Sequence, residues 1–341
     1  MKKISVFILC FIIVFKCLSQ DSEKQVFKVM CYNVENYFDC VDDSLTNDSE
    51  YLPRGMRAWS YQKYQTKQAN IAKVIVGIGG WDAPAIVGLC EVETEKCMYD
   101  LTHYSGLKNL KYKYIHYESP DARGIDVALM YQPYLFKPIV NYPIRITFPD
   151  ASQRKTRDIL YVSGEVPSGD TLHIFVCHFP SRLGGELESE HKRMYVASVL
   201  KQRIDSVFAL NSNANIIAMG DFNDYPDNRS MNEVLNALEP ISDFEPNKLY
   251  NLMFPMHKAG KGSHKYAGEW GALDQIIISG NLLQLNHKFY TLLTDAHVFE
   301  ADYLLEADNK YLGNQPFRTY LGMKYQGGFS DHLPVYIDLW Y

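Results

Sequence analysis

The stretch MGDFNDYP, residues 219–226, follows the apolar run 216–218 and places two aspartates and an asparagine within four residues. An aspartate at the end of a strand is most often a turn former, and residues 225–228 have ordinary turn chemistry. In extended backbone, however, the i, i+2 spacing would point Asp221 and Asn223 the same way. We therefore expect these two side chains in a site, and we assign Asp224 to the turn.

The same arrangement recurs along the chain, because most short apolar segments are bordered by a polar residue. These segments are 26–32 before Asn33, 84–90 before Glu91, 125–131 after Arg123, 159–166 after Arg157, 172–177 before His178, 276–279 after Asp274, and 334–341. Their apolar or alternating character predicts β-strands.

Helical periodicity predicts helices between these strands. Ile71, Val74, Ile75 and Ile78 have the i, i+3, i+4, i+7 spacing, and two glycines at 79–80 end the pattern. A second helix is predicted at about 188–209, with a weaker signal at 229–238. Neither a repeat nor a Pro/Ser-rich linker marks a domain boundary, so we predict one α/β domain over residues 20–341.

Residues 1–19 have the pattern of a signal peptide. Lys2 and Lys3 precede the apolar run 4–15, which is shorter than the ~20 residues that a membrane span requires. Cleavage before Gln20 would deliver a secreted or periplasmic protein without stable membrane insertion. Lipid anchoring at Cys17 is one alternative, but the preceding Phe15 and Lys16 are a poor match to that kind of processing. A retained N-terminal anchor is the other alternative.

Charge and cysteine content narrow the possible functions. The formal net charge is −6, and removal of the leader makes it more negative by three. Broad electrostatic binding of nucleic acid is therefore disfavoured, and phosphate binding has to be local or metal-assisted. Five cysteines remain after cleavage without a CxxC pair, which argues against a disulfide framework or a zinc site.

Carboxylates and amides gather where the predicted strands stop. Glu91, Asp221 and Asp331 are accompanied by Asn33 and Asn223. Strand ends are where α/β enzymes collect active-site groups. Carboxylate and amide oxygens are ligands for hard cations, so the sequence predicts Mg²⁺ or Mn²⁺, with Ca²⁺ possible.

Seven motifs in chain order resemble those of the endonuclease/exonuclease/phosphatase superfamily, which includes deoxyribonuclease I, exonuclease III-type abasic-site endonucleases, inositol polyphosphate 5-phosphatases and bacterial sphingomyelinases. They are YNVEN (32–36), LCEVE (89–93), RGIDVA (123–128), CHFPSR (177–182), GDFND (220–224), LDQ (273–275) and SDHLP (330–334). The resemblance covers about residues 26–341. It implies a deoxyribonuclease I-like four-layer α/β sandwich, in which two packed mixed β-sheets are flanked by helices, and metal-dependent hydrolysis of phosphoesters.

The resemblance also implies a metal site and a water-activating group. Glu91 corresponds to the main metal ligand, with Asn33 and Asp331 near the metal and Glu35 as a helper. Asp221 corresponds to the group that orients or deprotonates the attacking water. Whether one or two metals act, and whether Asp221 or a histidine takes the proton, stay open.

The remaining site residues implied by the resemblance contact the phosphate or support those that do. Asn223 would donate to the phosphate, and His332 would contact it while Asp274 fixes the histidine tautomer. His178 resembles the second histidine of the deoxyribonuclease I branch, with Glu118 as its carboxylate partner. The candidate phosphate-binding arginines are Arg157, Arg123 and Arg182, and surface salt bridging is the alternative for Arg182.

The sequence thus predicts an exported, monomeric phosphoesterase that most resembles a nuclease-type phosphodiesterase acting on nucleic acid. One alternative keeps the chemistry and changes the substrate to a small phosphorylated polyol or a phospholipid headgroup. Another alternative is a non-catalytic secreted binding module on the same scaffold. The sequence leaves endo versus exo action open.

Overall fold

A computed structural model describes residues 24–150 and 152–341, so the predicted leader lies outside the described residues. The strands of this part of the chain are β1 (Val26–Tyr37), β2 (Ile86–Val92), β3 (Lys113–His116), β4 (Asp126–Tyr131), β5 (Lys137–Ile144), β6 (Ile159–Glu165), β7 (Thr171–His178), β8 (Asn215–Asp221), β9 (Ala237–Leu238), β10 (Leu249–Asn251), β11 (His264–Tyr266), β12 (Glu269–Gly271), β13 (Asp274–Ser279), β14 (Ala296–Val298), β15 (Leu305–Ala307), β16 (Asn314–Pro316), β17 (Tyr320–Leu321), β18 (Lys324–Tyr325) and β19 (Val335–Trp340).

The α-helices in the same residues are α1 (Tyr61–Gly79), α2 (Glu95–Tyr104), α3 (Glu186–Leu210) and α4 (Phe254–Lys258). Short 3₁₀-helices lie at Ser49–Tyr51, Lys108–Leu110, Gly280–Leu283, Leu293–Asp295 and Asp302–Leu304, and a π-helix at Ser230–Val234. None of the helices described is long and apolar enough to cross a membrane.

Two large sheets form the centre of the molecule. One has the order β14-β19-β1-β2-β4-β3 and the other β5-β6-β7-β8-β13-β10-β9. Both are mixed, because β1 and β2 are parallel, as are β7 and β8, while β1–β19 and β8–β13 are antiparallel. Among residues 24–150 and 152–341, three two-stranded hairpins, β11-β12, β15-β16 and β17-β18, lie outside these sheets.

Alternation along the strands builds the layers. In β1, Val29 and Cys31 are buried in the cluster between the sheets, whereas Met30 and Tyr32 belong to the cluster that also holds the apolar stripe of α1. The second sheet alternates in the same way, and its outer residues pack with Leu200 and other residues of α3. Because successive side chains of a strand face opposite sides, each sheet packs against the other sheet on one face and against a helix on the opposite face. The predicted four-layer α/β sandwich is confirmed.

The predicted helices and strands are present with adjusted ends. Helix α1 begins after Ser60, whose side chain accepts a hydrogen bond from the Lys63 amide, and it ends before Gly80, which has a φ of 60°. The weak signal at 229–238 is a five-residue π-helix followed by β9. Strands β3 and β5 and helix α2 lacked a sufficient pattern in the sequence. The five cysteines in the described residues are free thiols.

Candidate active site

Three candidate residues form one row across neighbouring strands of the second sheet. The parallel register of β7 and β8 pairs His178 with Asp221, and the antiparallel register of β8 and β13 pairs Asp221 with Asp274. All three side chains are buried at the ends of their strands. Residues far apart in the chain are thus brought to one sheet edge by strand register alone.

Gly220 allows this row to form. Its φ is +151°, and a Cβ at this position would lie 1.8 Å from the backbone oxygen of Cys177 on β7. Any side chain would therefore force the two strands apart beside Asp221.

His332 is held by Asp274, as the resemblance implies. The Nδ1 atom of His332 lies 2.6 Å from Oδ2 of Asp274, which also accepts a hydrogen bond of 2.5 Å from the Ser263 hydroxyl. Burial opposes protonation of His332, but the carboxylates of Asp274 and Asp221 outweigh it and raise the pKa well above its ordinary value. The imidazole is therefore both oriented and disposed to carry a proton.

Asp221 is bound on both carboxylate oxygens and faces the imidazole of His332. Its Oδ1 accepts a hydrogen bond of 2.9 Å from the Asn223 amide, and its Oδ2 one of 3.0 Å from the side chain of Asn33. The same Oδ2 lies 3.9 Å from Nε2 of His332. Burial raises the pKa of Asp221 to about 7, although His332 opposes the rise.

The extended backbone expected around Asn223 is wrong, because this residue has a φ of +51°. Its side-chain amide donates a hydrogen bond of 3.0 Å to the backbone oxygen of Phe179. Asp224 is also more than a turn residue: it is buried against Arg193, whose Nε lies 2.7 Å from its Oδ1. The stretch after β8 is thus a tight, internally bonded bend.

Glu91 reaches the same edge from the first sheet. It lies at a β-bulge between Cys90 and Val92 with a φ of +66°, and its Oε2 accepts a hydrogen bond of 2.8 Å from the Asn36 amide. Its Oε1 lies 4.0 Å from Nε2 of His178, which in turn lies 3.6 Å from Asp221. His178 therefore joins the two sheets at the site.

Arg318, which the sequence did not single out, binds the two other predicted metal-site carboxylates. Its guanidinium donates hydrogen bonds of 3.0 and 2.8 Å to Glu35, whose other oxygen accepts from the Thr319 amide, and one of 2.8 Å to Asp331. Burial raises the pKa of Glu35, whereas Arg318 and His332 overcome burial and lower the pKa of Asp331 to about 2. A lone arginine in an aromatic-rich segment gave no sequence signal.

The predicted pairing of His178 with Glu118 is wrong in this structure. Glu118 has a largely exposed side chain that lies 4.0 Å from His116 at the end of β3. The Nδ1 atom of His178 is buried without a hydrogen-bond partner among the described residues. Burial, assisted by Arg157 and Arg123, lowers the pKa of His178 well below its ordinary value, so this imidazole is neutral.

The three predicted phosphate-binding arginines all contact protein groups. Arg157 is buried, with one nitrogen 3.3 Å from Asp121 and another donating a 2.6 Å hydrogen bond to the Phe179 oxygen. Arg123 donates to the Asn36 side chain and lies 3.8 Å from Glu91. Arg182 binds the Asn223 oxygen at 2.8 Å and forms an ion pair of 2.9 Å with Glu186 at the surface. The salt-bridge alternative for Arg182 is therefore present.

The donor set fits a hard divalent cation. Glu91 Oε1 and Asp331 Oδ1 accept no hydrogen bond from the described residues, so both oxygens are available to a ligand. His264, Asp331 and His332 place one potential ligand atom each within 4.8 Å of one another, as do Asp221, Asp274 and His332. His264 was not predicted. Burial and the neighbouring His332 lower its pKa to about 4, which keeps it neutral.

Comparisons with known proteins bear on the family and the fold of this chain. A model of the family described as Endonuclease/Exonuclease/phosphatase family matches residues 28–340. No curated protein sequence matches the chain.

Three similar solved structures are the human Nocturnin catalytic domain with bound sulfate anion, a humanized D. rerio TDP2 and a Bacteroides thetaiotaomicron mannosyl-6-phosphatase. Nocturnin is 17% identical with a TM-score of 0.53, and the match covers 93% of this chain and 97% of that one. The TDP2 is 13% identical with a TM-score of 0.57, and the match covers 92% of this chain and 98% of that one. The mannosyl-6-phosphatase is 15% identical with a TM-score of 0.52, and the match covers 92% of this chain and 99% of that one. At these identities the likeness shows the fold.

Proposed function

Because the chain belongs to the endonuclease/exonuclease/phosphatase family, we propose that it is an exported, divalent-metal-dependent phosphodiesterase of the nuclease type. As a member of this family it is a hydrolase of phosphoric ester bonds. The observation that carries the finer proposal is the buried cluster at the sheet edge. There Asp274 holds His332 at 2.6 Å, and Asp221 lies 3.9 Å from the same imidazole.

The roles proposed for Asp221 and His332 follow from their protonation states. Phosphodiesters resist hydrolysis because the attacking oxygen meets negative charge, so a site needs donors for the phosphate oxygens and a group that takes the proton from water. Asp221, with a pKa of about 7, is suited to orient the water and accept its proton near neutral pH. His332, whose pKa is raised, is suited to donate to a phosphate oxygen.

The metal would be held by Glu91 and Asp331, whose free oxygens are hard ligands. When bound, Mg²⁺ or Mn²⁺ would neutralise charge on the phosphate. Asn33 and Glu35 would act indirectly, by holding other residues of the site in place. Asn33 donates a hydrogen bond to Asp221, and Glu35 binds Arg318, which contacts Asp331.

Nucleic acid is the proposed substrate class, on the strength of His178 beside Asp221 and of the leader sequence. A second candidate is a small phosphorylated sugar or polyol. It is favoured by the net charge of −6, which is unusual for a protein that binds polynucleotides broadly. The similar fold of the mannosyl-6-phosphatase supports this second candidate.

Export is proposed from residues 1–19 alone, which combine two lysines with a short apolar run. N-terminal sequencing of protein recovered from the periplasm or medium should give a chain that begins at Gln20. Recovery only of the intact chain in the cytoplasm would contradict export.

A substrate panel tests the proposed reaction. Purified residues 20–341 would be incubated with duplex DNA, single-stranded DNA, RNA, bis-p-nitrophenyl phosphate, inositol phosphates, mannose 6-phosphate and sphingomyelin. We expect hydrolysis of the diesters with Mg²⁺ or Mn²⁺, abolition by EDTA, and recovery on re-addition of the metal. Preferential hydrolysis of the sugar or inositol phosphates would favour the second candidate, and activity undiminished by EDTA would contradict metal dependence.

A further inference from the structure

A cavity of about 480 Å³ lies directly beside Glu91, and its walls include Asn36, Tyr51 and three arginines, Arg57, Arg123 and Arg154. We propose that this cavity, here called the arginine pocket, binds a second phosphate group of the same substrate whose scissile phosphate lies at the catalytic site. This inference rests on the proposed function and specifies the substrate further, as a molecule that carries at least two phosphates.

The arginine pocket adjoins the candidate active site through two residues that belong to both. The Asn36 amide donates a hydrogen bond of 2.8 Å to Oε2 of Glu91, and its side chain accepts a hydrogen bond from Arg123. Arg123 also lies 3.8 Å from Oε1 of Glu91. Asn36 and Arg123 therefore contact Glu91 and also form part of the pocket wall.

The charge of the pocket is opposite to that of the whole chain. Three arginines line it against one acidic residue, Glu50, in a protein with a formal net charge of −6. Glu50 is half exposed and pairs with Arg57 at 3.1 Å, and Glu91 lies 3.8 Å from Arg123. Among the described residues, Arg154 is therefore the arginine of the pocket that has no acidic partner. Planar guanidinium groups bind phosphate oxygens with paired hydrogen bonds, so the chemistry of the walls matches a phosphate.

Part of the pocket is fixed in place before any ligand binds. The guanidinium of Arg57 lies over the rings of Tyr51 and Tyr320, at 5.1 and 5.0 Å from their centroids, and it donates a hydrogen bond of 3.1 Å to the Gly322 oxygen. Tyr51 itself stacks on Phe38 with a centroid distance of 4.3 Å. Because these side chains are already ordered, a ligand would lose less conformational entropy on binding them.

Direct binding to a variant that cannot turn over the ligand tests the inference separately from catalysis. In an Asp221→Asn background, calorimetry would compare adenosine 3′,5′-bisphosphate with adenosine 5′-monophosphate. We expect the bisphosphate to bind about tenfold more tightly, the gain expected from one charged hydrogen-bonding contact. Arg154→Ala and Arg57→Ala should each reduce that preference to about twofold or less. Arg203→Ala, at an exposed position of α3, should preserve it.

The outcomes distinguish a failure of the pocket assignment from a failure of the proposed reaction. Equal affinities for the two nucleotides, failure of both to bind, or a preference that survives Arg154→Ala and Arg57→Ala would overturn the pocket assignment even if the parent hydrolyses diesters. A preference lost in these variants would support the assignment even if the substrate panel showed no hydrolysis. Competition by 5′-phosphorylated thymidine dinucleotide and by inositol 1,4-bisphosphate then distinguishes a nucleic-acid source of the second phosphate from a polyol source.

Discussion

At the scale of single residues, the candidate site depends on hydrogen bonds between buried polar side chains. Asp274 is fully buried, and one of its oxygens accepts hydrogen bonds from both His332 and Ser263. Family resemblance predicted the contact between His332 and Asp274. The same reasoning misplaced Glu118 and overlooked Arg318, because a contact across 283 positions, such as that between Glu35 and Arg318, leaves no local pattern in one sequence.

Replacing Asp274 with asparagine should reduce catalysis without removing the side chain. The amide keeps the shape but removes the charge that raises the pKa of His332, so kcat should fall roughly 10- to 100-fold, as for other residues that orient a catalytic group. The pKa of His332, followed by NMR titration, should fall at the same time. Asp205→Asn, on the exposed side of α3, is the matched control. An unchanged His332 titration would show that Asp274 does not set its charge.

At the scale of elements, strand register and helix packing position the site. The sequence predicted that strands end near His178, Asp221 and Asp274, but the alignment of these ends in one row follows from pairing that a single sequence does not reveal. Helix α1 was predicted only as a packing element. Its buried Lys67 also donates hydrogen bonds of 2.6 and 2.5 Å to Thr319 and the Phe329 oxygen, which fastens the segments that carry Arg318 and Asp331.

Gly220→Ala should disrupt the alignment of His178, Asp221 and Asp274 at the ends of their strands. An added Cβ would lie 1.8 Å from the Cys177 backbone oxygen, and neither strand can yield without losing its pairing. Gly169→Ala, in the turn between β6 and β7, is a suitable comparison, because its φ is also positive, at +86°, but no atom lies within 4 Å of the added Cβ.

Urea denaturation distinguishes the effects of the two substitutions on the free energy of unfolding. Gly169→Ala should lower the free energy of unfolding by about 1–2 kcal/mol from backbone strain alone. Gly220→Ala should lower it by roughly 1–3 kcal/mol more because of the overlap. Equal losses in the two variants would contradict the close approach of β7 and β8.

At the scale of the whole molecule, the four-layer sandwich was predictable because its strands and helices have clear patterns and its motifs occur in family order. The arginine pocket was not predictable, because Arg57, Arg123 and Arg154 come from three separate segments. The sequence therefore has no Lys/Arg-rich segment that would indicate the pocket, although folding concentrates positive charge beside Glu91. The negative overall charge and the local positive charge together favour local binding of phosphate groups over broad electrostatic binding along a polynucleotide.

Asp221 and His332 are tested as the catalytic pair by measuring hydrolysis of bis-p-nitrophenyl phosphate by residues 20–341, by the Asp221→Ala and His332→Ala variants, and by the double variant. We predict that each single substitution lowers kcat/KM by roughly 10²-fold or more. The double variant should be little worse than the weaker single variant, because the two side chains serve one step. His287→Ala, at an exposed histidine, should match the parent. Parental activity in either Asp221→Ala or His332→Ala would contradict the assignment of this site as the catalytic centre.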